Sequence, residues 1–217
     1  MRHFSHALSA VVLVIAGSTA LLSGRVSAAP CAPGTPTSTN CTLTATAALT
    51  AGTLTLAAPA SLAWATTLNG NNQSLVDTTA ADQEYTVNDA TGSGAGWHVT
   101  TSATTFTNGT HTFPDTGTFV TNGSTSSITG TAAPTATCSG SCTLPTNSIT
   151  YPVAITTAAT TPTPVTIYNA AAASGLGQVV IGGSTAANPV GWWVNVPASA
   201  TAGSYTSTVT MAIISGP

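Results

Sequence analysis

The chain almost entirely lacks positive charge. Of its 217 residues only Arg2 and Arg25 are basic, and there is no lysine. Charged residues make up 3 %, where a globular chain ordinarily carries about a quarter. Nucleic-acid binding rests on Lys and Arg neutralising phosphates, so the chain is not a nucleic-acid binder. A polybasic contact with lipid headgroups is excluded on the same ground. So is nucleotide chemistry that needs a P-loop lysine. Lys–Asn isopeptide cross-links and lysine-linked polymers are chemically impossible. The acids are Asp77, Asp82, Glu84, Asp89 and Asp115, and few partners of opposite sign exist for them. Long apolar runs are also missing beyond residue 28, so no later segment is expected to span a membrane.

The one apolar run, Leu8 to Leu22, lies behind Arg2 and ahead of Val26-Ser27-Ala28. A positive start, a short apolar centre and a small-x-small site together read as a secretory signal, residues 1–28, cut before Ala29. Both arginines leave with it, and the net charge moves from −3 to −5. Pro30 before Cys31 does not fit lipid attachment, and the C-terminus has neither an apolar tail nor a basic end. The expectation is an exported chain without a covalent anchor of its own.

Export permits disulfides. Four cysteines allow three connectivities. The spacing favours Cys31–Cys41, closing a Pro/Thr/Ser-rich loop, and Cys138–Cys142 within Cys-Ser-Gly-Ser-Cys. Neither pair has the Cys-x-x-Cys spacing of a zinc site or a redox motif. No metal and no cofactor are expected.

What the chain has in quantity is threonine, about one residue in five, a type that favours strands. Apolar residues alternate with it at period two, the signature of half-buried strands. The runs are Leu54/Leu56, Leu62/Trp64/Leu68, Tyr85/Val87, Trp97/Val99, Val153/Ile155, Val165/Ile167, Val179/Ile181, Val190/Trp192/Val194/Val196 and Tyr205/Ser207/Val209/Met211/Ile213. Turns fall at Asn69-Gly70, Asn108-Gly109, Asn122-Gly123 and Gly182-Gly183. About ten short strands predict an all-β protein, a single β-sandwich domain over 29–217. The stretch of about 102–150 is rich in Thr, Ser and Gly and poor in large apolar residues. It is expected to be an irregular insertion over the sandwich. Ala170 to Ser174 is the one place where a short helix fits.

Several pieces follow a familiar order. Gly52-Thr53-Leu54-Thr55-Leu56 leads to Pro59 and Trp64. Tyr85-Thr86-Val87-Asn88-Asp89 and Gly96-Trp97-His98-Val99 follow. Tyr168-Asn169-Ala170, Gly175-Leu176-Gly177 and Val196-Pro197-Ala198 come later, and Ala202 to Ile213 closes the series. Together they resemble the WxL domain family of Gram-positive surface proteins, over nearly the whole chain after the leader. The resemblance implies secretion and non-covalent attachment to the cell wall, with peptidoglycan as ligand. The two Trp-x-Leu motifs of that family correspond here to Trp97-His98-Val99 and Met211-Ala212-Ile213, the second without its tryptophan. Trp97, Val99, Met211 and Ile213 also sit on apolar parities, so core packing is their plainer role.

Trp193 is different. If Val190, Trp192, Val194 and Val196 face inward, Trp193 and Asn195 face outward. An outward indole beside an amide suits a sugar: the pyranose face stacks on the ring and the amide bonds a hydroxyl. The alternative is that the 102–150 stretch covers it. His98 projects opposite Trp97 and completes the candidate ligand set of Trp193, Asn195 and His98. Asp77, Asp82 and Glu84 lie within eight residues of one another. Calcium would relieve their repulsion, but the spacing is not that of an EF-hand loop. Asp82 and Glu84 share one strand parity, whereas a retaining glycosidase needs carboxylates ~5 Å apart across a cleft. Asp89 precedes a turn and suits a capping role. There is no Gly-x-Ser-x-Gly elbow for a serine hydrolase.

These observations favour a secreted, non-catalytic surface protein that associates with cell-wall glycan. The rival is an adhesin or assembly subunit that binds other surface proteins by strand addition or through a Thr-rich face. A secreted glycan hydrolase is the weaker alternative. The Thr/Ser/Pro stretches Thr35–Thr39 and Thr160–Thr166 suit O-glycosylation. One outcome follows from composition alone. The chain from residue 29 onward stays whole in trypsin even when reduced and heat-denatured, as gel electrophoresis or mass spectrometry will show.

Overall fold

Among the described residues, the alternation of threonine with apolar residues resolves into eleven strands. These are β1 (Leu54–Ala57), β2 (Gln73–Val76), β3 (Glu84–Asp89), β4 (Trp97–Ala103), β5 (Phe119–Asn122), β6 (Ala136–Cys138), β7 (Val153–Ile155), β8 (Val165–Ala170), β9 (Gly177–Gly182), β10 (Gly191–Val196) and β11 (Val209–Ser215). The computed structural model describes residues 45–217. The expected leader, 1–28, and the expected Cys31–Cys41 disulfide lie outside the described residues. All pairings are antiparallel, in three sheets of order β1-β3-β9-β6, β2-β10-β5-β7 and β11-β4-β8. The protein is all-β and its sheets pack as a sandwich around one core.

The period-two runs point inward as their parity predicts. Tyr85, Val87, Trp97, Val99, Val153, Ile155, Val179, Ile181, Val190, Trp192, Val194 and Val196 are all buried. Large side chains are few, so aromatic area carries much of the core; each buried aromatic removes roughly 150–250 Å² from water. Trp97 stacks on Tyr168 with centroids 6.2 Å apart. The Tyr151 hydroxyl donates to the Ile167 carbonyl at 2.7 Å. Burial raises the phenol pKa of Tyr85 and Tyr151, and pushes that of Tyr168 up to about 12. Trp97 Nε1 donates to the Gly175 carbonyl at 2.9 Å. Gly175 has φ +73°, and a Cβ there would lie 2.6 Å from that indole nitrogen, so only glycine fits.

Three expectations need correction. The 102–150 stretch is not wholly an insertion. It contains β5, buried along its whole length between β10 and β7, as well as the end of β4 and all of β6. A strand covered on both faces has no reason to alternate, so Phe-Val-Thr-Asn gives no period-two signal. The amide of Asn122 is nonetheless satisfied: Nδ2 donates to the carbonyls of Ser127 and Ile128, both at 2.9 Å. Ala170 to Ser174 is not helical. Ala170 ends β8, and a turn follows in which Ala173 has φ 63° and the Ser174 N–H bonds the Ala171 carbonyl at 3.1 Å. The only helical turn among the described residues is the 3-10 turn Ala80–Asp82. The run Leu62/Trp64/Leu68 forms no strand; Leu62 and Trp64 are half-buried and Leu68 is exposed.

Cys138 and Cys142 are joined, as the spacing favours. They are four positions apart in sequence, so the closed loop is short. Chain entropy limits such a link to about 2 kcal/mol. Trp192→Ala, by contrast, removes a fully buried indole and costs about 3–5 kcal/mol. Urea midpoints of Cys138→Ser with Cys142→Ser and of Trp192→Ala will show the second change as the larger.

Candidate functional site

The segment that follows β1 forms one wall of the most distinctive surface feature. No ladder holds it; a buried carboxylate does. Asp77, at the end of β2, accepts the Ala63 N–H at 2.7 Å through Oδ2 and the Thr79 N–H at 2.8 Å through Oδ1. Next to Ala63, Trp64 donates its indole N–H to the Trp192 carbonyl at 3.0 Å. That carbonyl also accepts the Asp77 N–H at 2.9 Å. Two directional anchors therefore set where the Trp64 ring lies.

The ring meets Phe106 and Phe119 edge-on, each with centroids 5.9 Å away. Phe106 stacks on Phe113 at 6.2 Å, and Phe113 stacks on Tyr205 at 4.1 Å. Phe119 in turn stacks on Trp192 at 5.9 Å in the core. A continuous train of aromatic rings thus runs from the sandwich interior to the surface. Phe106 and Phe113 flank the Asn108-Gly109 turn, and the Phe113 N–H bonds the Phe106 carbonyl at 3.0 Å. That short hairpin is why two rings seven residues apart meet.

Above these rings lies a recess of about 800 Å³, edged by Trp64, Thr66, Leu75, Phe113, Thr201 and Tyr205. A narrower recess of about 510 Å³ adjoins it, between 58–64 on one side and Tyr205 to Met211 on the other. The two share Trp64, Phe106 and Tyr205. No charged side chain lines either. The larger one falls within the size range of small-molecule and sugar sites. Its chemistry is aromatic surface plus the hydroxyls of Thr66, Thr67, Thr201 and Ser204. Such a lining offers apolar contact and neutral hydrogen bonds. It offers no acid or base.

Trp193 is not the outward platform that parity suggests. It is 6 % exposed. Its indole N–H donates to the Ser124 carbonyl at 2.8 Å and lies 3.3 Å from Asn122 Oδ1. The loop after β5 covers it, and β10 is buried on both faces. Gly191 makes this possible, since a Cβ there would sit 1.9 Å from the Ser124 carbonyl oxygen. Asn195 is half-buried; its Nδ2 donates to the Gly117 carbonyl and its Oδ1 accepts the Ser74 hydroxyl, both at 2.6 Å. His98, on β4 in another sheet, bonds the Gly216 carbonyl through Nδ1 at 2.7 Å. Each of the three is engaged with its own chain, and they do not form one site.

The motif positions pair across two strands. Val99 lies opposite Ile213, and Met211 opposite Thr101. Trp97 and Val99 are fully buried, and Met211 and Ile213 pack half-buried on the core, so all four serve packing. Asp82 and Glu84 do not share a strand face. Asp82 is buried in the 3-10 turn, whereas Glu84 starts β3 exposed. Neither lines the recesses. No group of three potential metal ligands occurs among the described residues. Asp89 caps its turn, accepting the Thr91 N–H at 3.0 Å and its hydroxyl at 2.7 Å.

The recess residues Phe106, Phe113 and Tyr205 are not among the sequence candidates. Phe106 and Phe113 fall in the stretch expected to be irregular, and their signal is the pair of phenylalanines around an Asn-Gly turn. Comparison with family models, with curated proteins and with solved structures finds no match.

Two outcomes test this construction. Asp77→Ala removes the acceptor of the Ala63 and Thr79 N–H groups, both on exposed residues where water can replace it, at about 0.5–1.5 kcal/mol each, and frees the Trp64 wall. Chemical denaturation with amide exchange at Ala63 will report it. The second concerns pH. Burial, reinforced by the charge of Asp77, raises the pKa of Asp82. The folded state therefore holds its proton more tightly than the unfolded state, and stability falls as pH rises from the ordinary carboxylate range through the raised value. Asp82→Asn abolishes that decline, as melting temperatures across the acid range will show.

Proposed function

We propose that this chain is a secreted, non-catalytic surface protein that holds non-covalently to the bacterial cell wall and takes peptidoglycan glycan in the Trp64–Tyr205 recess. The observation that carries this reading is the lining of that recess: aromatic faces and edges, neutral hydroxyls and no carboxylate. A pyranose ring has one apolar face and a rim of hydroxyls, which matches such a lining. Hydrolysis of a glycosidic bond needs two placed carboxyl groups, and the recess supplies none. The leader-like first 28 residues and the resemblance to WxL domains support the same setting.

Charge gives the reading a second signature. A chain with no lysine or arginine after residue 28 cannot draw on ion pairs with the acidic groups of a wall. Its retention must come from stacking and neutral hydrogen bonds, which salt screens little. The test is retention of the chain from residue 29 on purified peptidoglycan. Retention is expected to persist at high salt. Tyr205→Ala and Trp64→Ala are each expected to lower it about tenfold, equivalent to roughly 1.4 kcal/mol of lost contact. Retention equal to that of an unrelated β-sandwich, or unchanged in both variants, rejects the recess as a glycan site.

A further inference from the structure

The strand that ends the fold leaves one edge open beside the narrower recess. Thr107 and Thr206 exchange backbone hydrogen bonds of 3.0 and 2.9 Å, the Thr104 N–H donates to the Thr208 carbonyl at 3.0 Å, and the Gly216 N–H donates to the Gly96 carbonyl at 2.9 Å. In an antiparallel ladder such bonded positions alternate with positions that face away. The N–H and C=O groups of Ser207, Val209, Met211, Ile213 and Ser215 therefore point away from β4. No hydrogen bond reaches them among the described residues. β11 is the outer strand of its sheet. Folded proteins usually blunt such an edge with charge or proline, and residues 205–215 contain neither. Along 205–211 this open edge forms one wall of the recess of about 510 Å³, with 58–64 opposite and Phe106 and Trp192 at its floor.

A strand to fit it lies in the same sequence. Leu43, Ala45, Ala47 and Leu49 alternate with Thr42, Thr44, Thr46 and Ala48, and no charged residue occurs between Arg25 and Asp77. Residues 45–53 belong to no strand and are exposed. Leu49 is 93 % exposed, the most exposed large apolar side chain among the described residues. An uncharged period-two segment with a bare leucine has the makings of an edge partner.

We propose that residues 45–51 of one copy add as a strand along 205–211 of a second copy, with Leu49 seated in the recess between 58–64 and β11. Chain direction argues for a second copy. β1 runs from Leu54 to Ala57 into the segment that walls the recess, so the residues before β1 leave from its other end. The contact is head-to-tail: each copy gives a segment and offers an edge, which builds open chains rather than closed dimers. The larger recess keeps its own rim at 65–68 and 200–204 and shares only Trp64, Phe106 and Tyr205 with this groove; the proposal rests on the open edge and not on glycan binding.

Complementation in sedimentation tests it. The chain from residue 29 is expected to form oligomers that grow with concentration. Leu49→Asp removes the donor, and Ala60→Glu places a charge in the acceptor groove; both positions are exposed, so neither change disturbs the core. Each variant alone is expected to stay monomeric, and their mixture to give a one-to-one dimer and nothing larger. A wild-type chain that remains monomeric throughout overturns the proposal. So does either variant assembling as the wild type does, or a mixture that fails to pair.

Discussion

Four indole N–H groups tie this fold together. Each of the chain's four tryptophans donates to a backbone carbonyl between 69 and 128 residues away. Trp97 fixes the turn at Gly175, Trp192 reaches the Asp82 carbonyl, Trp193 holds the loop at Ser124, and Trp64 binds the carbonyl of Trp192 itself. With no lysine anywhere and no arginine after residue 25, the sandwich lacks the cations that elsewhere pin loops to sheets. It uses large apolar rings that carry a single donor. Burial of the ring supplies the free energy, and the N–H supplies the direction.

The acids fit the same scheme. In most proteins a buried carboxylate finds a cation; here it finds the main chain. Asp77 accepts two backbone N–H groups and Asp89 one together with a hydroxyl. Asp115 accepts the hydroxyls of Thr105 and Thr157, which hold its carboxyl below the usual carboxylate range. Asp77 and Trp64 together show how core and surface are linked. The carboxylate positions the segment, the indole docks it on β10, and the aromatic train carries that placement out to Tyr205. The shape of the recess thus depends on Asp77, a side chain that does not itself line it.

The sequence made the sandwich legible because most strands have one dry face. Val190, Trp192, Val194 and Val196 fall where period two puts them. The same rule misplaces Trp193, since parity speaks only of which side a residue takes and not of what covers that side. The cover is a loop reached through Gly191, and its presence depends on contacts distant in sequence. β5 was illegible for a related reason: with both faces buried, Thr121 and Asn122 are as hidden as Phe119, and polarity no longer marks exposure. Of the recess, Trp64 was visible as an apolar position, but nothing local brings it to Phe106, Phe113 and Tyr205. That meeting follows from the way β10, the Asn108-Gly109 hairpin and the approach to β11 converge.

The unequal placement of the indoles has an optical consequence. Trp97, Trp192 and Trp193 are sealed from water and bonded to carbonyls, so their emission should stay blue and constant while the fold persists. Trp64 is the one tryptophan that lines the larger recess. A shift in tryptophan fluorescence without loss of β circular dichroism is therefore a signal from one residue, and the protein carries its own reporter of whatever enters there.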